Sequence, residues 1–473
     1  MTDQEIDVMI GLETHVQLDT NTKLFCGCPN EEAEKPNKNV CPVCLGHPGS
    51  KPRLNENVLK LATKTVLALQ CDINNDVFFS RKTYFYPDMS KNYQITQYEI
   101  PVGEKGELEI EVEDKKREIS IKRLHIEEDP AKMKHVGGSI SDSNYTKVDY
   151  NRAGTPLLEI VTEPDFHSPR EAREYLQQLA KILQYLEIYY PESDFAIKTD
   201  ANISIEGGEK VEVKNITGTS EVEKALSYEI SRQKQMERRG REISQHTRNY
   251  NADISATEKM REKETEEDYG YIFDPDLTRQ ELDERFQQKI RSSIPELPHE
   301  KYERFQKQYG ISDKMIESLI AEQQIADDFE QLTEDHDPEL VGSWMTGELR
   351  KTLNYNELTY KEAEVELDWI DYIIGLLEED RISDRNAEKV IRKIVENPQD
   401  PKQIVENQDL LKAEEAEVDQ LVAQIVGDNQ EAVEDYRSGD EEAINFLVGQ
   451  VMQESEGKAD PKTAREKIIE KVK

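Results

Sequence analysis

The sequence predicts an α+β chain: an antiparallel sheet cradling a polar cleft, followed by helices alone. Three observations carry this. Residues 6–18 alternate with period two, so Ile6, Val8, Ile10, Leu12, Val16 and Leu18 share one face, and Met9, Gly11, Glu13, His15 and Gln17 share the other. Ala201, Ile203 and Ile205 alternate in the same way against Asp200, Asn202 and Ser204. Beyond Pro295-Glu296-Leu297-Pro298 the strand-like segments stop, and the remainder is helical in pattern almost without interruption.

A half-buried strand with an acid, an imidazole and an amide on its polar face is the wall of a site. Residues 157–163 read as a more buried strand that still carries Glu159, inside the run Pro156-Leu157-Leu158-Glu159-Ile160-Val161. A lone ionised carboxylate there is costly, and a metal or a cationic partner resolves the cost. Glu13 and His15, the run Glu127-Glu128-Asp129 after His125, Glu159 and Asp200 form an acidic constellation. Hard oxygens with one imidazole suit Mg²⁺ or Mn²⁺ better than zinc. Residues 168–188 read as a helix, with Ser168 as N-cap, Pro169 at the first position, Glu171 completing a capping box, and an apolar stripe of Ala172, Leu176, Leu179, Leu183 and Leu186. In the helical part, Pro398 and Pro401 mark a linker. Ile444, Leu447, Val448, Val451 and Met452 form a stripe of a small helical tail domain.

Five cysteines occur, and four of them, Cys26, Cys28, Cys41 and Cys44, form two close pairs joined by a short loop. The spacing suits a structural zinc with all four positions filled by protein; free thiols or a redox pair are the alternatives. Cys71 stands alone after an apolar helical stripe and reads as core.

The 473 residues carry a formal charge of −38, and 34% of them are charged, against about 25% in an average domain. The excess is spread along the chain. It reads either as a surface adapted to high salt or as an acidic partner-binding face. Either way it excludes general affinity for nucleic acid, so any RNA contact must use basic islands. One lies at residues 232–248, with Arg232, Lys234, Arg238, Arg239, Arg241 and Arg248. The other ends the chain, with Lys458, Lys462, Arg465, Lys467, Lys471 and Lys473. Each is a phosphate-contact patch or an ordinary charged helix surface. No apolar run is long enough to cross a membrane and no signal-like segment opens the chain, so the expected location is the cytoplasm. Walker, Gly-x-Gly-x-x-Gly and Gly-x-Ser-x-Gly motifs are lacking. A bound nucleotide must therefore be held through metal, carboxylates and scattered cations, for which Lys82, Arg123, Arg152 and Lys214 are candidates.

Several stretches, taken in order along the whole chain, resemble the B-type subunits of tRNA-dependent amidotransferases, the GatB family. They include Ile10-Gly11-Leu12-Glu13-Thr14-His15-Val16, Arg81-Lys82-Thr83-Tyr84-Phe85-Tyr86-Pro87-Asp88, Leu124-His125-Ile126-Glu127-Glu128-Asp129, Arg152-Ala153-Gly154-Thr155-Pro156-Leu157-Leu158-Glu159-Ile160-Val161, Asp200-Ala201-Asn202-Ile203-Ser204 and Phe446-Leu447-Val448-Gly449-Gln450-Val451-Met452. The cysteine knuckle resembles the archaeal type, and with the acidity it suggests a salt-loving archaeon.

The resemblance implies a cradle domain of the glutamine synthetase/guanidino kinase type over residues 1–293, a helical domain over 294–398 and a tRNA-binding tail over 399–473. It implies an ATP-dependent phosphorylation of the side-chain carboxylate of misacylated Glu-tRNA(Gln) or Asp-tRNA(Asn), then amidation by ammonia. The ammonia would come from a separate A-type amidase subunit, with a small C-type subunit completing a heterotrimer. By the same resemblance His15, Glu128 and Glu159 would ligate Mg²⁺ (or Mn²⁺), and Glu13, Glu127 and Asp200 would complete the acidic shell. Strand parity puts Glu127 and Glu128 on opposite faces, so one of them should point away, unless the loop starting at Asp129-Pro130 relaxes it. The family's Arg-Cys before the Asp-Ala-Asn motif is Lys198-Thr199 here, and Thr217-Gly218-Thr219 replaces an aromatic after Asn215. Two rivals remain: the archaeal E-type subunit, which serves Glu-tRNA(Gln) alone and carries an inserted domain, and a non-catalytic tRNA-binding scaffold.

Overall fold

The structure is a computed structural model, and it describes residues 7–136, 145–189, 197–261, 269–413, 415–439, 442–455 and 458–472. The chain forms two compact units that part between Pro298 and His299.

Among the described residues, the first unit is built on a nine-stranded sheet with Val8–Gln17 at its centre. On one side of it lie Pro156–Thr162, Lys115–Glu128, Gly103–Val112 and the short edge strand Asp72–Ile73. On the other lie Lys198–Ile205, Val211–Thr217, His246–Asn251 and Ala256–Arg261. The pairings are antiparallel, as the alternation implies, except that Val211–Thr217 pairs in parallel with His246–Asn251. The helix Thr219–Arg238 joins those two, and a helical crossover is what a parallel pair requires.

Period two sorts the side chains. Ile10, Leu12 and Val16 turn to one face together with Leu158, Ile160, Leu124, Ile126, Ala201 and Ile203, all buried in one apolar cluster. The helices Glu56–Ala68, Pro169–Tyr185 and Thr219–Arg238 contribute Val58, Val66, Leu176, Leu179, Leu183, Val222 and Leu226 to that cluster. The helix beginning at Pro169 starts as its sequence implies, with the Ser168 hydroxyl accepting from the Glu171 N–H at 3.2 Å. The returning arm of the box differs: Glu171 accepts from the His167 N–H at 2.7 Å, one residue before the cap. The opposite face of the sheet keeps the polar set and is free to line a cleft.

A small sheet of Ser80–Thr83, Tyr93–Thr96 and Gly270–Phe273 borders that face. Its edge strand Tyr93–Thr96 is stitched to the end of Lys115–Glu128. The Gln94 amide donates to the Glu128 carbonyl at 2.7 Å, and the Ile126 N–H donates to the Gln97 side chain at 2.9 Å.

The second unit is helical in its described residues. One apolar cluster runs from Phe305 to Leu410, with Phe305, Tyr309 and Phe329 meeting ring to ring at 5.1–5.4 Å. A second begins at Val418 and contains Ile444, Leu447 and Val451 from the C-terminal stripe, with Val448 and Met452 packed against it. The helix Pro401–Asn407, beyond the two-proline linker, packs Ile404 and Val405 into the first of these clusters. No described helix is long and apolar enough to cross a membrane.

Gly106 lies where the sheet passes the end of the helix Glu56–Ala68. A Cβ there would sit 2.6 Å from the Leu69 carbonyl oxygen and would strike the Cys71 sulfur. Gly106→Ala is therefore expected to destabilise the first unit by about 1–3 kcal/mol, read as a lower urea midpoint with an unchanged slope.

Candidate active site

Register brings the polar residues together. His15 pairs with Glu159, and Glu159 pairs with His125, so three adjacent strands place the three side chains in one row across the sheet. Glu127 follows two residues after His125 and shares its face. The His15 Nε2 lies 3.3 Å from Glu159 Oε2 and 3.7 Å from Glu127 Oε1. The His125 Nε2 lies 3.3 Å from the same Glu159 oxygen and 3.9 Å from Glu127 Oε2. Donor atoms of His15, Glu127 and Glu159 all fall within 4.8 Å of one another. Two oxygens and a nitrogen at that spacing are a fit for a hard or borderline divalent cation.

The imidazoles and the carboxylates set one another's charge. Burial works against a protonated His15, but the Glu159 and Glu127 carboxylates hold it up to about 10. Burial likewise opposes His125, and the same two carboxylates hold it up to about 9. Burial would raise Glu159, yet His125 and His15 keep it well below the usual carboxylate range. A divalent cation binding here would displace those protons.

The neighbouring row adds the other acids. Glu13 pairs in register with Asp200, and Gly11 with Asn202. The Asn202 amide donates to Glu13 at 2.7 Å. Burial, and then Glu159, raise the Glu13 carboxyl. Asp200 accepts from the Lys214 ammonium at 2.7 Å and from the Asn215 N–H at 3.0 Å. Lys214 also lies 3.3 Å from Glu212. Glu13, Asn202, Glu212 and Lys214 border a cleft of about 650 Å³ whose lining also includes His125, Glu127, Glu159 and Lys82; Asp200 reaches it only through Lys214. One wall is basic and aromatic: the Lys82 ammonium sits 4.6 Å above the Tyr269 ring, and Tyr98 stacks on Tyr271 at 3.9 Å.

Two expected residues go elsewhere. Glu128 has the opposite parity to Glu127 and does not join the cluster. It is buried in an ion pair with Lys91 and accepts from the Ile95 N–H at 2.8 Å, pinning the small sheet to the large one. Arg152 does not line the cleft; it pairs with the buried Asp129, which would otherwise be an uncompensated charge. Conversely, His125 and Glu212 join the site although the sequence reading gave them no role. Their parity with Glu127 and Lys214 was the available signal.

The sulfurs of Cys26, Cys28, Cys41 and Cys44 all lie within 4.8 Å of one another. The Cys41 N–H donates to Cys44 Sγ at 3.1 Å. Contact with Cys26 draws Cys44 down to about 5, while burial pushes Cys28 up to about 11. All four can ionise together only around a cation, and four thiolates fit a tetrahedral metal. Cys71 is buried in the apolar cluster, in line with its sequence reading.

The two basic islands divide their cations between interior and surface. Arg232 and Arg248 turn inward to Glu229, a fully buried carboxylate, at 2.6 and 3.3 Å. Arg238, Arg239 and Arg241 stay exposed. In the terminal helix Pro461–Val472, Lys467 pairs with Asp419 at 2.7 Å, while Lys462, Arg465 and Lys471 are exposed; Lys473 lies outside the described residues.

Cys41→Ser is expected to lower zinc content from about one atom per chain toward none and to reduce the melting temperature. Elemental analysis of the purified protein checks the first, and a thermal scan the second.

The chain matches the GatB/GatE catalytic domain over residues 8–288 and the GatB domain over residues 327–472. It is 43% identical to the B subunit of the aspartyl/glutamyl-tRNA(Asn/Gln) amidotransferase of Natronomonas pharaonis, over 98% of this chain and 97% of that protein. It is 42% identical to the protein of the same name from Haloquadratum walsbyi, over 98% and 96%. With that of Methanosarcina mazei the identity is again 42%, over 98% of each. By both domain matches and by full-length likeness, the chain belongs to the GatB family.

Proposed function

We propose that this chain is the component of a tRNA-dependent amidotransferase that activates and amidates the side-chain carboxylate of Glu-tRNA(Gln), Asp-tRNA(Asn) or both. The reaction makes it a carbon–nitrogen ligase with glutamine as the amide donor. The observation that carries the reading is the row His15–Glu159–His125 with Glu127 on the polar face of the sheet, three of them lining a cleft that also bears cations, in a member of this family. The sheet with its cleft is read as a cradle of the glutamine synthetase/guanidino kinase type.

The chemical problem is a poor leaving group. A carboxylate oxygen leaves only once it is made part of a phosphate. The substrate carboxylate attacks the γ-phosphorus of ATP and ADP departs; ammonia then attacks the acyl carbon and phosphate leaves. Such transfers need positioning and charge neutralisation more than a protein nucleophile. His15, Glu127 and Glu159 would hold Mg²⁺ or Mn²⁺, which, when bound, offsets the charge of the phosphate oxygens. Lys82 and Lys214, on the walls of the cleft, would meet the phosphates. Glu13 and Asp200 would attract the ammonium form, and Glu13, held by the Asn202 amide, would take its excess proton. Zinc in the four-cysteine knuckle is structural.

Ammonia would be supplied by an A-type amidase subunit, with a small C-type subunit as its clamp, in the cytoplasm. The E-type alternative requires an inserted domain, and only short helices, Pro298–Tyr309, Asp313–Leu319 and Gln323–Leu332, follow the catalytic-domain match before the next match is under way. The surface acidity is read as adaptation to high salt. The exposed cations of the terminal helix are read as tRNA contacts.

Glu159→Gln is expected to cut tRNA-dependent ATP hydrolysis and transamidation by at least about 100-fold while leaving tRNA affinity within about twofold. Retained turnover would contradict the activating role; lost tRNA binding would point to a scaffold instead. Removing the terminal helix would not test the tail cleanly, because Ala464, Ile468 and Val472 are core residues of its bundle. The double substitution Lys462→Glu, Arg465→Glu keeps that core. It is expected to weaken tRNA binding about tenfold and to flatten its salt dependence, as filter binding at several ionic strengths would show.

A further inference from the structure

We infer that Lys23 is the buried counter-charge of the four-cysteine metal site: its ammonium offsets the excess negative charge that four thiolates leave around one divalent ion. This rests on the zinc reading of the knuckle and deepens it, by naming what the loaded site needs beyond its sulfurs.

Lys23 is among the largest fully buried side chains of the described residues, with none of its surface exposed. Its ammonium donates to the Asn39 carbonyl at 2.8 Å and to the Tyr150 carbonyl at 3.3 Å. Among the described residues, no carboxylate stands within ion-pair distance of it. Glu128, whose carboxylate also faces Gly154, is taken by Lys91. An ammonium stripped of water and given only neutral carbonyls is costly to bury, and a nearby anion resolves the cost. A neutral donor would cap the same two carbonyls at less expense.

The anion the surroundings offer is the knuckle. The Lys23 N–H donates to the Cys28 carbonyl at 3.0 Å, so Lys23 shares a turn with the first cysteine pair. Asn39, which its ammonium holds, shortly precedes Cys41 of the second pair. Its stem runs beside Cys44: a Cβ at Gly154 would stand 3.6 Å from Lys23 Cδ and 3.7 Å from Cys44 Cβ. Its charge also reaches the sulfur. Contact with Cys26, the Cys41 N–H and then the Lys23 ammonium draw the Cys44 thiol down, against burial.

Four thiolates around one Zn²⁺ leave two negative charges in excess. A fixed cation beside them favours the ionised, metal-bound sulfurs over four neutral thiols. The same ammonium ties the knuckle to the turn that leads into the Glu159 strand, where the Leu24 N–H donates to the Gly154 carbonyl at 2.9 Å.

The test uses the full chain, with Zn²⁺ as the probe and Lys23→Met and Lys23→Gln as variants. Met keeps the stem and removes the charge. Gln removes the charge but keeps a donor for the carbonyls. Competition against a chelator should show Zn²⁺ affinity lower by about tenfold or more in both. Thermal scans should separate the two forms of Lys23→Met: loaded with zinc it melts below the loaded wild type, and stripped of zinc it melts no lower than the stripped wild type. A folded variant that holds Zn²⁺ within about twofold of the wild type overturns the inference. So does an equal fall in melting temperature in both forms, or a Lys23→Gln with wild-type affinity, since either makes Lys23 a carbonyl clamp alone. If neither variant folds, amine labelling of the wild type decides. Lys23 should be protected in the loaded protein and react about tenfold faster or more once zinc is removed, and equal reactivity overturns the inference. A wild type that binds no Zn²⁺ sinks the knuckle reading as well. A wild type that binds Zn²⁺ tightly, with variants that match it, shows Lys23 alone to be misassigned.

Discussion

Two imidazoles and two carboxylates share one small space at the edge of the cleft, and the first unit is arranged to keep them there. Groups of this kind repel or attract by several kcal/mol at such separations, depending on protonation, so the cluster cannot be indifferent to its contents. The carboxylates favour the protonated imidazoles, and these draw Glu159 well below its ordinary value. Everything else on the polar face follows from the same requirement. Glu13 is braced by Asn202, and Lys214 is caged by Asp200 and Glu212, so each further charge has an answering group. The apolar face supplies the stiffness. Ile10, Leu12 and Val16 are fixed among Leu158, Ile160, Ala201 and Ile203, and this holds the alternate residues in register to within a strand spacing.

Much of the site was legible because a strand's period is two. The alternation of residues 6–18 already puts Glu13 and His15 on one side, and the apolar run around Glu159 marks a carboxylate that needs a partner. The same rule says that Glu127 and Glu128 cannot both face the cleft, but it cannot say which does until the register with Pro156–Thr162 is known. The structure pairs Glu159 with His125, so Glu127 is inside and Glu128 is left to Lys91. The place of His125 was hidden for a related reason: it shares parity with Glu127, and only the choice between the glutamates reveals it.

What the sequence hid is which charged side chains pair with one another inside the fold. Arg152 looks like a phosphate contact until Asp129, 23 residues away, is seen to need it. Arg232 and Arg248 look like a basic surface until Glu229 and Thr257 close around them. The parallel pairing of Val211–Thr217 with His246–Asn251 is invisible to alternation, which is the same for both directions, and was signalled only by the intervening helix. In an acidic chain of charge −38, cations are scarce, and many are committed to internal neutralisation before any are available to a ligand. The exposed Lys462 and Arg465 stand out against that background.

The central claim is that a divalent ion sits among His15, Glu127 and Glu159. Anomalous diffraction from crystals soaked with Mn²⁺ and a non-hydrolysable ATP analogue tests it directly. The account predicts one strong peak in the cleft, at about 2.2 Å from those three side chains, with the phosphates between it and Lys82. A peak on Glu128, or nucleotide bound with no ion on the sheet face, would contradict it.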